Sequence, residues 1–228
     1  MRALLLLLLL ASPALSQGRF MPTLPEAAQR DWPAIGRIYQ AGFKTLNMCT
    51  GTLIAPAIVL TAAHCAPHDR KTADDLKTRR FVAGWVQGDY AAVRGVTGGV
   101  RHPAYLPGEG HDPRFDIGLV FLDAPIKDVP PLPLARPSAQ NFAVIGYHRE
   151  RPQLPSGDMA CPLIRANEKL MQLGCPVISG NSGSPVLERI AGRWHITAVL
   201  SAQFQDTALA VKLVDWVEDE VAKRTSGG

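Results

Sequence analysis

Apolar residues fall in short runs along most of this chain, some alternating with polar positions, and the runs are broken by glycine, proline and polar turns. That rhythm predicts strands rather than helices. Residues 35–39, 48–54, 58–62, 81–86, 91–96 and 117–122 make a first set of six runs, enough for one small antiparallel barrel. Residues 142–147, 159–164, 169–173, 184–187, 194–200 and 207–211 make a second. Between them, residues 124–137 carry Pro125, Pro130, Pro131, Pro133 and Pro137. Proline removes a backbone donor and fixes φ, so this density excludes both helix and central strand and marks a linker. The expected fold class is all-β: two antiparallel six-stranded β-barrels over residues 32–123 and 138–228. Only beyond Leu213 does the period change. Leu213, Val217 and Val221 recur every fourth residue, with Val214 and Trp216 beside them, which predicts an amphipathic C-terminal α-helix packed on the second barrel.

The N-terminus follows a different logic. Met1-Arg2-Ala3 precedes an unbroken run of leucine from Leu4 to Leu10, and Ala11-Ser12-Pro13-Ala14-Leu15-Ser16 follows. A charged start, an apolar centre and a small-residue end describe a secretory signal peptide over residues 1–16. The run falls short of the roughly 20 apolar residues of a spanning helix, and no later segment approaches that length, so no stable membrane association is expected. The location implied is secreted or periplasmic. Residues 17–31 are polar, contain Pro22 and Pro25, and read as an extended leader. Within it Arg30-Asp31 is either a processing site or plain surface.

Composition adds limits. Of 228 residues, 46% are hydrophobic and 19% charged, which excludes a disordered chain, and 20 glycines with 19 prolines suit many turns. The formal charge of +4 is small and scattered. Its one dense patch, Arg70-Lys71 with Lys77-Thr78-Arg79-Arg80, reads as a solvated loop, so no nucleic-acid partner is expected. Four cysteines in an exported chain imply two disulfides, for which three pairings exist; proximity favours Cys49 with Cys65 and Cys161 with Cys175.

Candidate chemistry centres on Gly180-Asn181-Ser182-Gly183. Glycine tolerates unusual backbone angles, so Gly180 and Gly183 allow backbone N–H groups to converge beside the Ser182 hydroxyl. A serine hydroxyl needs a base, and the base needs an orienting group. Thr61-Ala62-Ala63-His64-Cys65 offers the first and Phe115-Asp116-Ile117-Gly118-Leu119 the second. His64-Cys65 with His68 also has something of a metal-ligand spacing, but no second cluster completes a tetrahedral site, and neither metal nor cofactor is expected. An α/β-hydrolase would show Gly-x-Ser-x-Gly and the order Ser, acid, His. Here Ser184 occupies the fifth position and the order is reversed.

Taken together, TAAHC, DIGL and GNSGSP in this order resemble the three signature segments of the chymotrypsin-like serine proteases. The GNSGSP form resembles the secreted bacterial branch that includes glutamyl endopeptidases. The resemblance implies a serine endopeptidase acting on a protein or peptide substrate, with His64, Asp116 and Ser182 as a triad and the N–H groups of Gly180 and Ser182 as oxyanion hole; a monomer is expected. It also supports the Cys49–Cys65 pairing and a hydrogen bond from Ser201 to Asp116, and it places the substrate pocket at Pro176 and along Ser201, Ala202 and Gln203. Departures are informative. Asn181 stands where zymogen-activated members hold an aspartate that pairs with a new N-terminus, so no such insertion is expected here. Pro176 replaces the aspartate of trypsin-like pockets, and Leu200 the histidine of glutamyl endopeptidases, which leaves a small or apolar preference. The competing class is a catalytically silent binding protein on the same fold; a membrane-tethered quality-control protease is disfavoured.

Overall fold

In the computed structural model, which describes residues 19–40, 48–67, 73–108, 112–213 and 215–225, the chain forms two closed antiparallel barrels. The signal-peptide segment 1–16 and His68, Arg70, Lys71 and Val214 lie outside the described residues. The first barrel comprises β1 (Ile35–Gln40), β2 (Cys49–Ala55), β3 (Ile58–Thr61), β4 (Arg79–Ala83), β5 (Ala92–Arg101) and β6 (Gly118–Leu122), closing in the order β1-β2-β3-β6-β5-β4. The second comprises β7 (Asn141–Gly146), β8 (Ser156–Ala166), β9 (Leu170–Leu173), β10 (Pro185–Ile190), β11 (Arg193–Phe204) and β12 (Thr207–Lys212), closing as β10-β11-β12-β9-β8-β7. Each expected run is found as a strand.

Successive side chains of a strand point to opposite faces, and in several strands here both faces are apolar because each has somewhere to go. Along β3, Val59 enters the core of the first barrel while Ile58 and Leu60 face a separate cluster between the barrels. Along β7, Phe142 and Val144 fill the second barrel while Ala143 and Ile145 join that same intermediate cluster. The near-continuous apolar runs therefore record a buried seam. β8 lies away from it, and beyond Gly157 only Cys161 is buried, with Met159 and Ile164 exposed.

Polar groups also cross the seam. Arg37 is buried between the rings of Tyr39 and Trp85 and donates to the Pro152 carbonyl at 2.5 Å, and the Tyr147 hydroxyl donates to the Trp85 carbonyl at 2.9 Å. The linker runs along both barrels, with Leu132 N–H donating to Leu53 O and Ala135 N–H to Ile196 O.

Two elements depart from expectation. A short helix, α1 (Ala73–Thr78), precedes β4, too brief to leave a periodic signal. The C-terminal helix α2 (Asp215–Thr225) reaches the first barrel instead of resting on the second alone. Val217 is buried in the seam cluster with Ile58 and Leu60, Trp216 meets the His102 ring at 5.3 Å, and the Arg224 guanidinium lies 3.6 Å from the centre of the Phe121 ring. A stripe at steps of four reveals that one helix face is apolar, and not which surface covers it.

Candidate active site

β3 ends at Thr61, and the chain turns at once: Cys65 N–H donates to Ala62 O at 3.0 Å and Ala66 N–H to Ala63 O at 3.1 Å. Ala62 and Ala63 are fully buried in this turn, and His64 is carried to its outer side with a third of its side chain exposed. Asp116 sits where the single-turn helix Pro113–Phe115 runs into β6, and its side chain is fully buried. A buried carboxylate needs partners, and three hydrogen bonds reach this one from the described residues. Its Oδ2 accepts from His64 Nδ1 and from the Ser201 hydroxyl, each at 2.7 Å, and its Oδ1 accepts from the His64 backbone N–H at 2.9 Å. Burial pushes the carboxyl pKa upward, but the His64 ring, the Ser201 hydroxyl and the His64 N–H outweigh it and hold the group below its ordinary value. The acid thus stays ionised and fixes which ring nitrogen of His64 carries the proton toward it.

Ser182 is supplied by the second barrel but held by the first. Thr50 on β2 donates its N–H to Ser182 O at 2.8 Å and its hydroxyl to Gly180 O at 3.0 Å, while its own carbonyl accepts from the Thr61 hydroxyl. Gly183, at φ +83°, lets these strands meet: a Cβ there would lie 2.1 Å from the Thr50 carbonyl oxygen. Asn181 braces the loop from inside. Its side-chain oxygen accepts from Ile178 N–H at 3.0 Å, and its amide nitrogen donates to Tyr147 O at 3.2 Å. Both halves of the amide are used, in a residue that is buried.

The peptide between Ser179 and Gly180 is oriented by one bond, from Arg149 N–H to Ser179 O at 2.9 Å. A trans peptide directs its C=O and N–H to opposite sides, so this bond turns the Gly180 N–H away from Arg149. Among the described residues neither the Gly180 nor the Ser182 N–H has a backbone acceptor. Gly180, at φ +103°, and Ser182 line a cavity of about 690 Å³ together with His64.

A second cavity of about 190 Å³ adjoins Ser182 and is lined by Ile178, Leu200, Ser201, Ala202 and Gln203 among others, with no charged residue. Pro176 does not line it. Cys49 is bonded to Cys65 and Cys161 to Cys175. His64 comes close to both sulfurs of the first pair, but disulfide sulfurs are not the thiolates a metal would require. Sequence reasoning passed over Thr50 and Arg149, because a threonine in a strand and an arginine in a turn carry no local sign of the loop they hold.

The trypsin-like peptidase domain profile matches residues 49–194. A solved structure of a Glu endopeptidase in complex with MPD superposes with a TM-score of 0.70 at 19% identity, covering 91% of this chain and 97% of that one. No curated protein sequence matches significantly. The profile runs through TAAHC, the buried Asp116 and the serine loop and takes in more than half of the residues: the chain belongs to the trypsin-like peptidase family.

Proposed function

We propose that the protein is an exported serine endopeptidase in which Ser182 is the nucleophile, His64 the general base and acid, and Asp116 the residue that orients the imidazole. Family membership makes it a serine peptidase acting on protein or peptide substrates. The observation that carries the assignment of roles is the fully buried Asp116, which accepts from His64 Nδ1 while the opposite side of that ring is left toward the cavity shared with Ser182.

In the reaction, the Ser182 hydroxyl attacks the scissile carbonyl and passes its proton to His64 Nε2. Asp116 stabilises the imidazolium that forms. The oxyanion of the tetrahedral intermediate is received by the N–H groups of Gly180 and Ser182, each worth roughly 3 kcal/mol in sites of this kind. Collapse expels the amine, which takes the proton from His64, and water then releases the acyl group by the same route in reverse. The uncharged cavity beside Leu200 and Ala202 suits a small or apolar side chain before the scissile bond. Two disulfides and the N-terminal pattern support an oxidising location outside the cytoplasm. The protein is proposed to act as a monomer without a cofactor.

Labelling of the purified protein by a fluorophosphonate probe tests this reading. Wild-type protein is expected to label and Ser182→Ala to stay unlabelled. A folded wild-type protein that fails to label, and that cleaves no member of a peptide library, would replace it with the silent binding-protein reading.

A further inference from the structure

The large cavity beside Ser182 is walled by three arginines and, among the described residues, by no aspartate or glutamate. Arg79, at the start of β4, donates to Cys65 O at 2.9 Å; Arg101, at the end of β5, donates through Nε and Nη2 to Ala66 O at 3.0 and 2.7 Å. Two guanidinium groups are thus anchored on consecutive carbonyls of the turn that carries His64. Like charges held side by side raise each other's energy, and Arg101 is half-buried as well. Burial, and then the neighbouring Arg79, lower the Arg101 pKa against the opposing pull of Tyr105 and Asp116. Asp116, whose charge bears on Arg101, is already engaged by His64 and Ser201. Arg149 faces the same cavity from the second barrel, on an exposed residue whose backbone N–H holds Ser179. Among the described residues neither Arg101 nor Arg149 lies within ion-pair distance of a carboxylate.

Resting on the peptidase reading above, we propose that this cleft selects acidic peptides, with Arg101 and Arg149 receiving aspartate or glutamate side chains at positions flanking the scissile bond. The side chain immediately before that bond enters the smaller uncharged cavity, so the acidic preference belongs to its neighbours. A carboxylate brought between Arg101 and Arg149 gains charge-assisted hydrogen bonds, while a lysine or arginine there adds a further like charge.

Binding to the Ser182→Ala protein tests the proposal without requiring turnover. Short fluorescent peptides identical except for aspartate or alanine at the flanking positions are compared by anisotropy. The aspartate peptide is expected to bind roughly five- to tenfold more tightly at low ionic strength, and the advantage to shrink in about 0.5 M salt, where exposed charges are screened within a few ångströms. Arg149→Gln and Arg101→Gln should each reduce the ratio of the two affinities, whereas Arg101→Lys, which keeps the charge, should preserve most of it. Arg149 is exposed and among the described residues its side chain holds no other group, so its variant remains informative if loss of the Arg101 bonds disturbs the His64 turn. Equal affinity for the two peptides, or a preference that survives both glutamine variants, would overturn the proposal. Fluorophosphonate labelling of the wild-type protein reads the catalytic assignment separately, so the two ideas fail independently.

Discussion

Asn181 shows how one side-chain atom can decide between two ways of stabilising the same loop. Its amide accepts from Ile178 N–H and donates to Tyr147 O, and an aspartate of the same shape would face that carbonyl with a second oxygen. Asn181→Asp is therefore expected to destabilise the protein by about 1–3 kcal/mol, read from urea unfolding at neutral pH, with a matching loss of fluorophosphonate labelling. Trimming the leader should not restore either, because no ion pair with a new N-terminus takes part. An unchanged midpoint would mean that the amide does not brace the loop. Asp116 makes a second case, governed by pH. Its carboxyl is held below its ordinary value of 3.8, so the stability from its pairing is fully present above that value and is lost as the pH falls through the lower folded value. The difference in melting temperature between wild type and Asp116→Asn should stay level from neutral pH to about pH 5 and narrow below about pH 4. The same variant should lower kcat by about 10⁴-fold at neutral pH, because an amide no longer secures the tautomer of His64. The residues of this site were legible because each lies inside a short signature with small neighbours. Thr50 was not, since its work is done on a loop 130 residues away in the chain.

At the scale of elements, what could be read was local period and what could not was docking. All twelve strands stand where the short apolar runs lie, since alternation and turn residues act over a few positions. The leader is the counterexample. Its prolines and polar residues suggest an extended leader, and residues 21–24 of it are built into the second barrel. Leu24 N–H donates to Pro155 O at 3.0 Å, Gly157 N–H donates to Pro22 O at 2.9 Å, and Met21 is fully buried in the core cluster with Phe142 and Met171. Proline at position 22 loses nothing there, because only its carbonyl is needed. Phe20 meanwhile packs on the ring of His148, next to the Arg149 that orients the Ser179 peptide. Met21→Ala is thus expected to cost about 2–5 kcal/mol in urea unfolding, as for other large buried apolar side chains. Removing residues 17–31 altogether should cost more and should weaken labelling of Ser182. A truncated protein as stable and as reactive as the full chain would return this stretch to the role of a disposable leader.

For the whole molecule, the central fact is that neither barrel holds a complete site. His64 and Asp116 come from the first, Ser182 and Ser201 from the second, and the hydrogen bonds of Thr50, Arg37 and Tyr147 cross between them. The barrels also share an apolar cluster that contains Leu60 and Leu119 of one, Ile145, Leu187 and Val199 of the other, and Val217 of α2. An interface of this kind, apolar and built from strands of both barrels, opposes independent motion of its halves. Two barrels joined by a bare linker would unfold separately; these two should unfold as one cooperative unit. Trp32 and Trp194 lie 5.5 Å apart across the seam, which makes indole fluorescence a reporter of its integrity. In a urea titration, the fluorescence change, the loss of far-ultraviolet strand signal and the loss of fluorophosphonate labelling are expected to share one midpoint. Reduction of Cys49–Cys65 should move all three together to lower urea, because that bond ties the strand bearing Thr50 to the turn bearing His64 and so couples the seam to the candidate catalytic groups. Labelling that disappears well before the fluorescence changes would instead show that the serine loop opens on its own while the barrels remain packed.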